Sequence, residues 1–171
     1  LIIKQSPHVL GSNKAKIGFA RMGEPALNWA NVLEAIRYLD THPWGNFRFL
    51  PCYNSIVPDK IIGDATPFDV LENVLHVKEK IFDGFLHLQL SINSTNEDTR
   101  RYLFRGAEVV SLADLVNFFD QQTITKRTIT LNFICGDGWE LDPKKLKGLD
   151  PKKFAIKLIT LNRTYRGAQN G

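Results

Sequence analysis

The stretch Phe85-Leu-His-Leu-Gln-Leu-Ser-Ile-Asn93 alternates apolar and polar side chains along its whole length. Its apolar residues Leu86, Leu88, Leu90 and Ile92 alternate with the polar residues His87, Gln89, Ser91 and Asn93. Successive side chains of a strand point to opposite faces, so this pattern predicts a strand with one apolar and one polar face. Helices cover the outside of a parallel sheet. We therefore expect the leucines to pack against helices and the polar row to point into a lumen or crevice.

The same division of faces recurs in two other predicted strands. Thr128, Thr130 and Asn132 alternate with Ile129, Leu131 and Phe133, and Arg48 and Asn54 share one face of the second predicted strand. Burying such groups without partners costs about 1 to 3 kcal/mol each, so a polar ligand or ordered water is expected in the lumen. An antiparallel sheet or edge strand with one wet face would need no ligand, and the connections between the strands argue against that alternative.

Strand-like and helix-like segments alternate along the chain. The predicted strands are Ile17–Ala20, Asn46–Tyr53, Phe85–Asn93, Thr128–Cys135 and Phe154–Leu161. The predicted helices run from Asn28 to Asp40, after Thr66, from Thr95 to Leu103, after Ser111, and near Pro143 to Leu146. No two strands are separated by a hairpin-length turn, which favours right-handed crossovers between parallel strands. The sequence therefore predicts an α/β fold, either a partial (β/α) barrel or an open doubly wound sheet.

Polar residues at four positions are predicted to begin helices. Asn28 and Ser111 precede apolar residues with the spacing of one helical face. Thr66 is followed by proline at the first helical position and by an acid in the first turn. Ser94 and Glu97 have the spacing of a capping box.

The tetrad Met22-Gly23-Glu24-Pro25 directly follows the apolar run Ile17–Ala20, which places one carboxylate at the end of a predicted strand. The carboxyl ends of parallel strands are where backbone groups and short side chains converge on a ligand. Glu24 is thus a candidate ligand-binding residue. The alternative is an ordinary turn with a solvated acid.

Composition indicates one domain spanning residues 1–171, which we expect to be part of a longer protein because the chain begins with Leu. No apolar run is long enough to span a bilayer, and a cytoplasmic location is expected. The formal charge of +4 weakly favours an anionic partner such as nucleic acid. The two cysteines, Cys52 and Cys135, lie in apolar runs and are predicted to be buried thiols.

These segments resemble the radical S-adenosylmethionine superfamily, particularly its branch of adenine-C2 ribosomal-RNA and tRNA methylating enzymes. The resemblance rests on Arg21-Met-Gly-Glu-Pro-Ala-Leu-Asn28 with Val32-Leu-Glu-Ala-Ile-Arg37, on Leu90-Ser-Ile-Asn-Ser-Thr-Asn-Glu-Asp-Thr-Arg100, and on Leu158-Ile-Thr-Leu-Asn162. It implies a partial barrel that lacks its first strand-helix unit in this chain. It also implies S-adenosylmethionine as cofactor, reductive cleavage of that cofactor to a 5′-deoxyadenosyl radical, and RNA among the candidate substrates.

The resemblance assigns cofactor-binding roles to eight residues: Gly23, Glu24, Pro25, Asn54, Ser55, Ser91, Asn93 and Asn162. Gly23, Glu24 and Pro25 correspond to the segment that engages the methionyl amino group. Ser91 corresponds to a contact with the methionyl carboxylate or ribose, and Asn162 to one with the adenine or ribose. Asn54 and Ser55 match more loosely, and Asn93 stands where the methylating branch has histidine.

The chain has no Cys-x3-Cys-x2-Cys run, the ligand set that holds a four-iron four-sulfur cluster in this superfamily. We expect such a cluster only if a segment upstream of Leu1 supplies the thiolates. That segment, a dimer partner or a larger complex is expected to cover the open edge of the barrel. Two alternatives remain, a noncatalytic binding or structural subunit and an unrelated barrel enzyme that uses Glu24, His87 and Asp137 in acid-base chemistry.

Overall fold

A computed structural model describes residues 14–20, 23–41, 48–136, 139 and 141–160. Its strands are β1 (Lys14–Phe19), β2 (Arg48–Ser55), β3 (His87–Asn93), β4 (Ile129–Cys135) and β5 (Phe154–Thr160). Its α-helices are α1 (Trp29–Thr41), α2 (Pro67–His76), α3 (Glu97–Leu103), α4 (Leu112–Asp120) and α5 (Pro143–Leu146). A 3-10 turn, Pro25–Asn28, precedes α1, and a π-helical turn, Val77–Ile81, follows α2.

The strands form one sheet in the order β1-β2-β3-β4-β5, and every neighbouring pair is parallel. The predicted α/β class with parallel crossovers is therefore confirmed. Each strand lies beside the next one in the chain, so the order contains no reversal of the kind that divides a doubly wound sheet. A five-stranded parallel sheet of this order is compatible with a partial barrel, and β1 and β5 are its two edges.

Helices α1, α2 and α4 pack on one face of the sheet, where the described residues form an apolar core. Leu88, Leu90 and Ile92 of β3 belong to this core and are fully buried, as the alternation of the sequence predicts. Helix α1 adds Leu33 and Ile36, while α2 and α4 add Val70, Leu71, Val74, Leu75, Leu112, Leu115 and Phe119. The polar row of β3 therefore lies on the opposite face of the sheet.

Two of the predicted helix starts are confirmed and two are wrong. Thr66 and Ser111 each accept a hydrogen bond from the backbone N–H three residues later. Asn28 does not cap α1, because the 3-10 turn before it runs directly into the helix and Glu24 caps that turn instead. The cap of α3 is Asn96, which accepts from the N–H groups of Asp98 and Thr99.

The capping box predicted for Ser94 and Glu97 is absent because both side chains have other partners. Ser94 Oγ accepts from the N–H of Asn96, and the carboxylate of Glu97 binds the buried guanidinium of Arg100 and the N–H of Leu112. Sequence spacing alone does not distinguish a capping box from these longer-range contacts.

Two further expectations differ from the structure. Strand β1 begins at Lys14, before the apolar run that predicted it. Cys52 is buried as expected, whereas Cys135, the last residue of β4, is exposed. Among the described residues, no helix combines the length and apolar character needed to cross a bilayer.

Candidate ligand site at the carboxyl ends of the strands

The carboxylate of Glu24 joins the loop after β1 to the end of β2. Its Oε1 accepts hydrogen bonds from the N–H of Ala26 at 3.0 Å and from Ser55 Oγ at 2.6 Å. Its Oε2 accepts from the N–H of Ile56 at 3.0 Å. These three donors fix both the position and the orientation of the carboxylate.

Glu24 retains capacity for a ligand. A carboxylate offers about four acceptor positions, and the three protein donors leave one of them on Oε2. The ion pairs formed by the described residues do not include Glu24. The complementary group for this half-buried charge is a cation that donates a hydrogen bond.

Tyr53 lies close enough to Glu24 for the two groups to interact electrostatically. Burial of the phenol, followed by the negative charge of Glu24, raises the pKa of Tyr53 above its usual range. The phenol therefore stays neutral and adds no second negative charge beside Glu24. Its hydroxyl is buried and has no hydrogen-bond partner among the described residues.

A cavity of about 360 Å³ lies over the carboxyl end of β1 and the start of α1. Its lining residues are Gly18, Phe19, Ala20, Gly23, Glu24, Pro25, Asn28 and Val32. Gly23 has a φ of +87°, a left-handed conformation that strains any other L residue. The three residues of the Gly-Glu-Pro segment thus line one cavity.

Ser55 holds the Glu24 carboxylate through a hydrogen bond. Its side chain donates to Glu24 and accepts from the N–H of Val57 at 2.8 Å, and the residue is only 2% exposed. Val57 is a β-branched residue at a φ of +54°, which is a strained conformation that the surrounding contacts must hold. In this geometry Ser55 is a positioning residue for Glu24.

Asn54 and Ser91 form a second pair on the polar face of the sheet. Ser91 Oγ donates to Asn54 Oδ1 at 3.2 Å, and both residues are half-buried. Asn93 ends β3 at a φ of +70°, next to an irregularity in the pairing with β4. Asparagine tolerates this left-handed conformation better than most residues. Asn162 lies outside the described residues.

The polar side chains of β2, β3 and β4 meet on this face, as the sequence predicts. Gln89 Nε2 donates to Cys52 Sγ at 2.7 Å, and Asn132 Nδ2 donates to Gln89 Oε1 at 3.5 Å. Asn132 Oδ1 is buried without a hydrogen-bond partner among the described residues. An unpaired buried acceptor of this kind is the expected mark of a face that receives a polar ligand or water.

His87 lies toward the other end of the same face. It pairs in register with Cys52, whereas Glu24 binds Ser55, three residues farther along β2. At about 3.3 Å per residue, this separation is roughly 10 Å along the strand. The arrangement does not favour an acid-base pair of Glu24 and His87, and Asp137 of the same alternative lies outside the described residues.

His87 is neutral at physiological pH. Burial, followed by the positive charges of Lys16, Arg127 and Lys157, lowers the pKa of His87 to about 4. Its Nε2 lies 2.9 Å from Thr130 Oγ1, and its Nδ1 lies 3.3 Å from Lys16 Nζ. Since ammonium can only donate, Nδ1 is the acceptor and Nε2 carries the proton.

A larger cavity of about 570 Å³ lies at the amino ends of β3 and β4, between the end of α2 and the loop 121–125. Ligands of parallel sheets bind at the carboxyl ends of the strands, and this cavity is at the other end. Nearby, Lys78 is buried and donates to Thr125 O and to Glu79. We interpret this end as a structural contact between the two loops.

The described residues include no group of three or more His, Cys, Asp or Glu side chains that could hold a metal ion. The whole chain contains two cysteines, which is fewer than the three thiolates of the cluster motif. Cys52, in β2, is also buried and accepts a hydrogen bond from Gln89, while Cys135 is the last residue of β4. The residues of this chain therefore do not fit an iron-sulfur cluster.

Comparison with curated proteins finds three RNA methyltransferases. The chain is 30% identical to a probable dual-specificity RNA methyltransferase RlmN of Thermotoga maritima, in an alignment covering 97% of this chain and 47% of that protein. It is 39% identical to a probable RNA methyltransferase of Chromobacterium violaceum, covering 59% of this chain and 24% of that protein. A probable dual-specificity RNA methyltransferase RlmN of Trichodesmium erythraeum is 31% identical over 69% of this chain and 30% of its own length.

The chain spans about half or less of the length of these relatives. No protein-family model matches it, and no solved structure gives a significant match. The similarities support the radical S-adenosylmethionine superfamily and do not select a branch within it.

Proposed function

We propose that this chain is the S-adenosylmethionine-binding part of a radical S-adenosylmethionine enzyme that modifies RNA. The names of the three relatives and the order of the parallel strands support this proposal. The observation that best supports it is the environment of the Glu24 carboxylate. Three protein donors hold its carboxylate at a cavity wall, and none of the described cations pairs with it.

The proposed site assigns a role to each group at the strand ends. Glu24 Oε2 and the backbone carbonyl of Gly23 accept hydrogen bonds from the methionyl ammonium, and Pro25 fixes the turn that presents them. The Asn54–Ser91 pair offers amide and hydroxyl groups to the methionyl carboxylate or the ribose. Asn93 and Asn162 complete the site as the resemblance implies.

When bound, S-adenosylmethionine supplies a methyl group or, after reductive cleavage, a 5′-deoxyadenosyl radical. The role of this chain is to bind and orient the cofactor. Glu24 holds the ammonium, and Ser55 holds Glu24. We assign no step to an iron-sulfur cluster, because the two thiols of this chain do not form its ligand set.

The partial barrel is part of the same proposal. The sequential strand order and the helices on one face of the sheet support it. Both edges, β1 and β5, then need cover, since an exposed parallel edge is a template for unwanted pairing. A further strand-helix unit, a second copy or a larger complex would supply that cover.

Calorimetric titration with S-adenosylmethionine tests the role of Glu24. We expect Glu24→Gln to weaken binding by about 10- to 100-fold, because a charge-assisted hydrogen bond contributes about 1.5 to 3 kcal/mol. Glu72→Gln on α2 is the matched control, because Glu72 is exposed and lies at the other end of the sheet. Equal heats for wild type and Glu24→Gln would remove Glu24 from the site.

A second ligand separates loss of the ammonium contact from general damage to the site. 5′-Methylthioadenosine lacks the methionyl ammonium and carboxylate. Its affinity should be the same for wild type and Glu24→Gln. A parallel loss for both ligands would show that the substitution disrupts the fold of the loop instead.

The second candidate is a noncatalytic binding subunit, and the thiol count of the chain favours it. The coding sequence upstream of Leu1 discriminates between the two candidates. A complete gene without a Cys-x3-Cys-x2-Cys run would support the noncatalytic subunit. Such a run would contradict it.

A further inference from the structure

An apolar groove of about 480 Å³ lies between β1 and α1, at one edge of the sheet. Ile17 and Phe19 form its wall on β1, and Ala35, Tyr38 and Leu39 form its wall on α1. Ile17 and Phe19 share one face of β1, and Phe19 packs against the core. The groove is therefore on the side of the sheet that the helices cover.

Helix α1 has more apolar surface than the core uses. Leu33 and Ile36 are buried in the core, whereas Ala35 is exposed and Tyr38 is 51% exposed. Contiguous apolar surface of this kind marks a contact with another segment or chain. Glu34 adds an exposed carboxylate to the groove, and the ion pairs among the described residues do not include it. The complementary occupant is an apolar segment that carries a cation.

The sequence directly before β1 has this composition. Leu1, Ile2 and Ile3 form an apolar run, and Lys4 follows it. Pro7 and the triplet Gly11-Ser12-Asn13 lie between this run and β1. Residues of these types favour turns that reverse the chain. The run is thus joined to β1 by a connection that can turn back.

The connection is also long enough to reach the groove. Helix α1 links the parallel strands β1 and β2, so it runs antiparallel to them. Tyr38 and Leu39, near the end of α1, therefore lie where β1 begins. From there the groove extends toward Asn31, roughly 12 Å at 1.5 Å per residue. Residues 5–13 span up to about 30 Å when extended, which exceeds that length.

We propose that segment 1–4 docks in this groove, with Leu1, Ile2 and Ile3 on the apolar walls and Lys4 beside Glu34. Its attachment to β1 makes the contact intramolecular and gives the segment a high effective concentration at the groove. The groove adjoins the cavity at Glu24, because Phe19 lines both. The docked segment thus packs beside the candidate ligand site, whatever ligand that site binds.

Disulfide trapping tests this contact. Ile3→Cys with Ala35→Cys places two thiols across it, in a Cys135→Ser background that removes the exposed native thiol. Ile3→Cys with Ala30→Cys is the matched control, because Ala30 is also an exposed alanine of α1 and lies outside the groove lining. Under mild oxidation, the 3–35 disulfide should form about 10-fold faster than the 3–30 disulfide, since docking raises the effective concentration of the thiol. Mass spectrometry of the linked peptides measures both rates.

Two outcomes would overturn the proposal. Equal rates for the two pairs would show that segment 1–4 has no preference for the groove. A disulfide that joins two chains, seen as a dimer on a non-reducing gel, would assign the groove to a second copy instead.

A charge exchange provides an independent measurement of the same contact. Lys4→Glu and Glu34→Lys should each slow formation of the 3–35 disulfide, because each places like charges together. The two substitutions combined should restore the rate, because they re-form the pair in reverse. A combined variant as slow as the single variants would contradict the pairing of Lys4 with Glu34.

Discussion

Glu24 and Ser55 belong to different strand ends, and a hydrogen bond of 2.6 Å joins their side chains. This contact makes the Gly-Glu-Pro loop a fixed part of the sheet. It also divides the predicted site residues into two kinds. Glu24 keeps an acceptor position for a ligand, whereas the hydroxyl of Ser55 is used within the protein.

Ser55→Ala should lower the free energy of unfolding by about 1 to 3 kcal/mol, because it leaves Glu24 and the N–H of Val57 each short of one buried partner. Ser91→Ala is the control, since Ser91 is less buried and makes one described hydrogen bond. Urea denaturation of the two variants measures the difference. An equal loss in both would contradict the positioning role of Ser55.

His87 predicts a pH dependence of stability. Its folded pKa of about 4 is below the unfolded value of about 6.5, so the unfolded chain binds the proton more tightly. The contribution of His87 is therefore fully present above pH 6.5 and is lost as pH falls toward 4. Urea midpoints at pH 7 and pH 5 should differ less in His87→Gln than in wild type.

His76 supplies the control for this measurement, because it is exposed on α2. His76→Gln should keep the wild-type pH dependence. Titration of the imidazole by NMR gives the pKa directly. A pKa of His87 near 6.5 would show that neither burial nor the three cations lower it.

At the scale of the element, β3 is the central strand of the sheet, and its side chains contribute to both faces. Leu88, Leu90 and Ile92 fill the core, while Gln89 and Ser91 link β3 to β2 across the polar face. The alternation in the sequence predicts this division correctly. The edge strand β5 differs, because its Leu158 is 56% exposed.

Leu90→Ala should therefore cost about 2 to 5 kcal/mol of stability, as expected for a fully buried leucine whose removal leaves a cavity. Leu158→Ala makes the same chemical change on β5 and should cost much less. Thermal or urea unfolding compares them. Similar losses would mean that Leu158 is buried by a partner in solution.

At the scale of the whole molecule, the sheet has one face covered by helices, an opposite polar face whose central side chains are buried, and two edges. β3 hydrogen-bonds to neighbours on both sides, whereas β1 and β5 each have one neighbour. Opening of an edge strand breaks fewer contacts than opening of a central one. The stability of the chain is therefore expected to fall from β3 toward the edges.

Hydrogen exchange followed by mass spectrometry tests this gradient. Amides of β3 should be the most protected, and those of β1 and β5 the least. Raising the protein concentration should not change the pattern if the chain is monomeric. Protection of β1 equal to that of β3 would indicate that another chain pairs with this edge.

The sequence by itself determined the α/β class, the two faces of β3 and the place of Glu24 at a strand end. Periodicity and strand-helix alternation carry that information, because they depend on local geometry. Only the tertiary structure decided that Glu24 binds Ser55, that Asn96 caps α3 and that Lys16 and Lys157 approach one histidine. Those contacts depend on strand register and on the path of the loops, which bring together residues far apart in the chain and which no local pattern specifies.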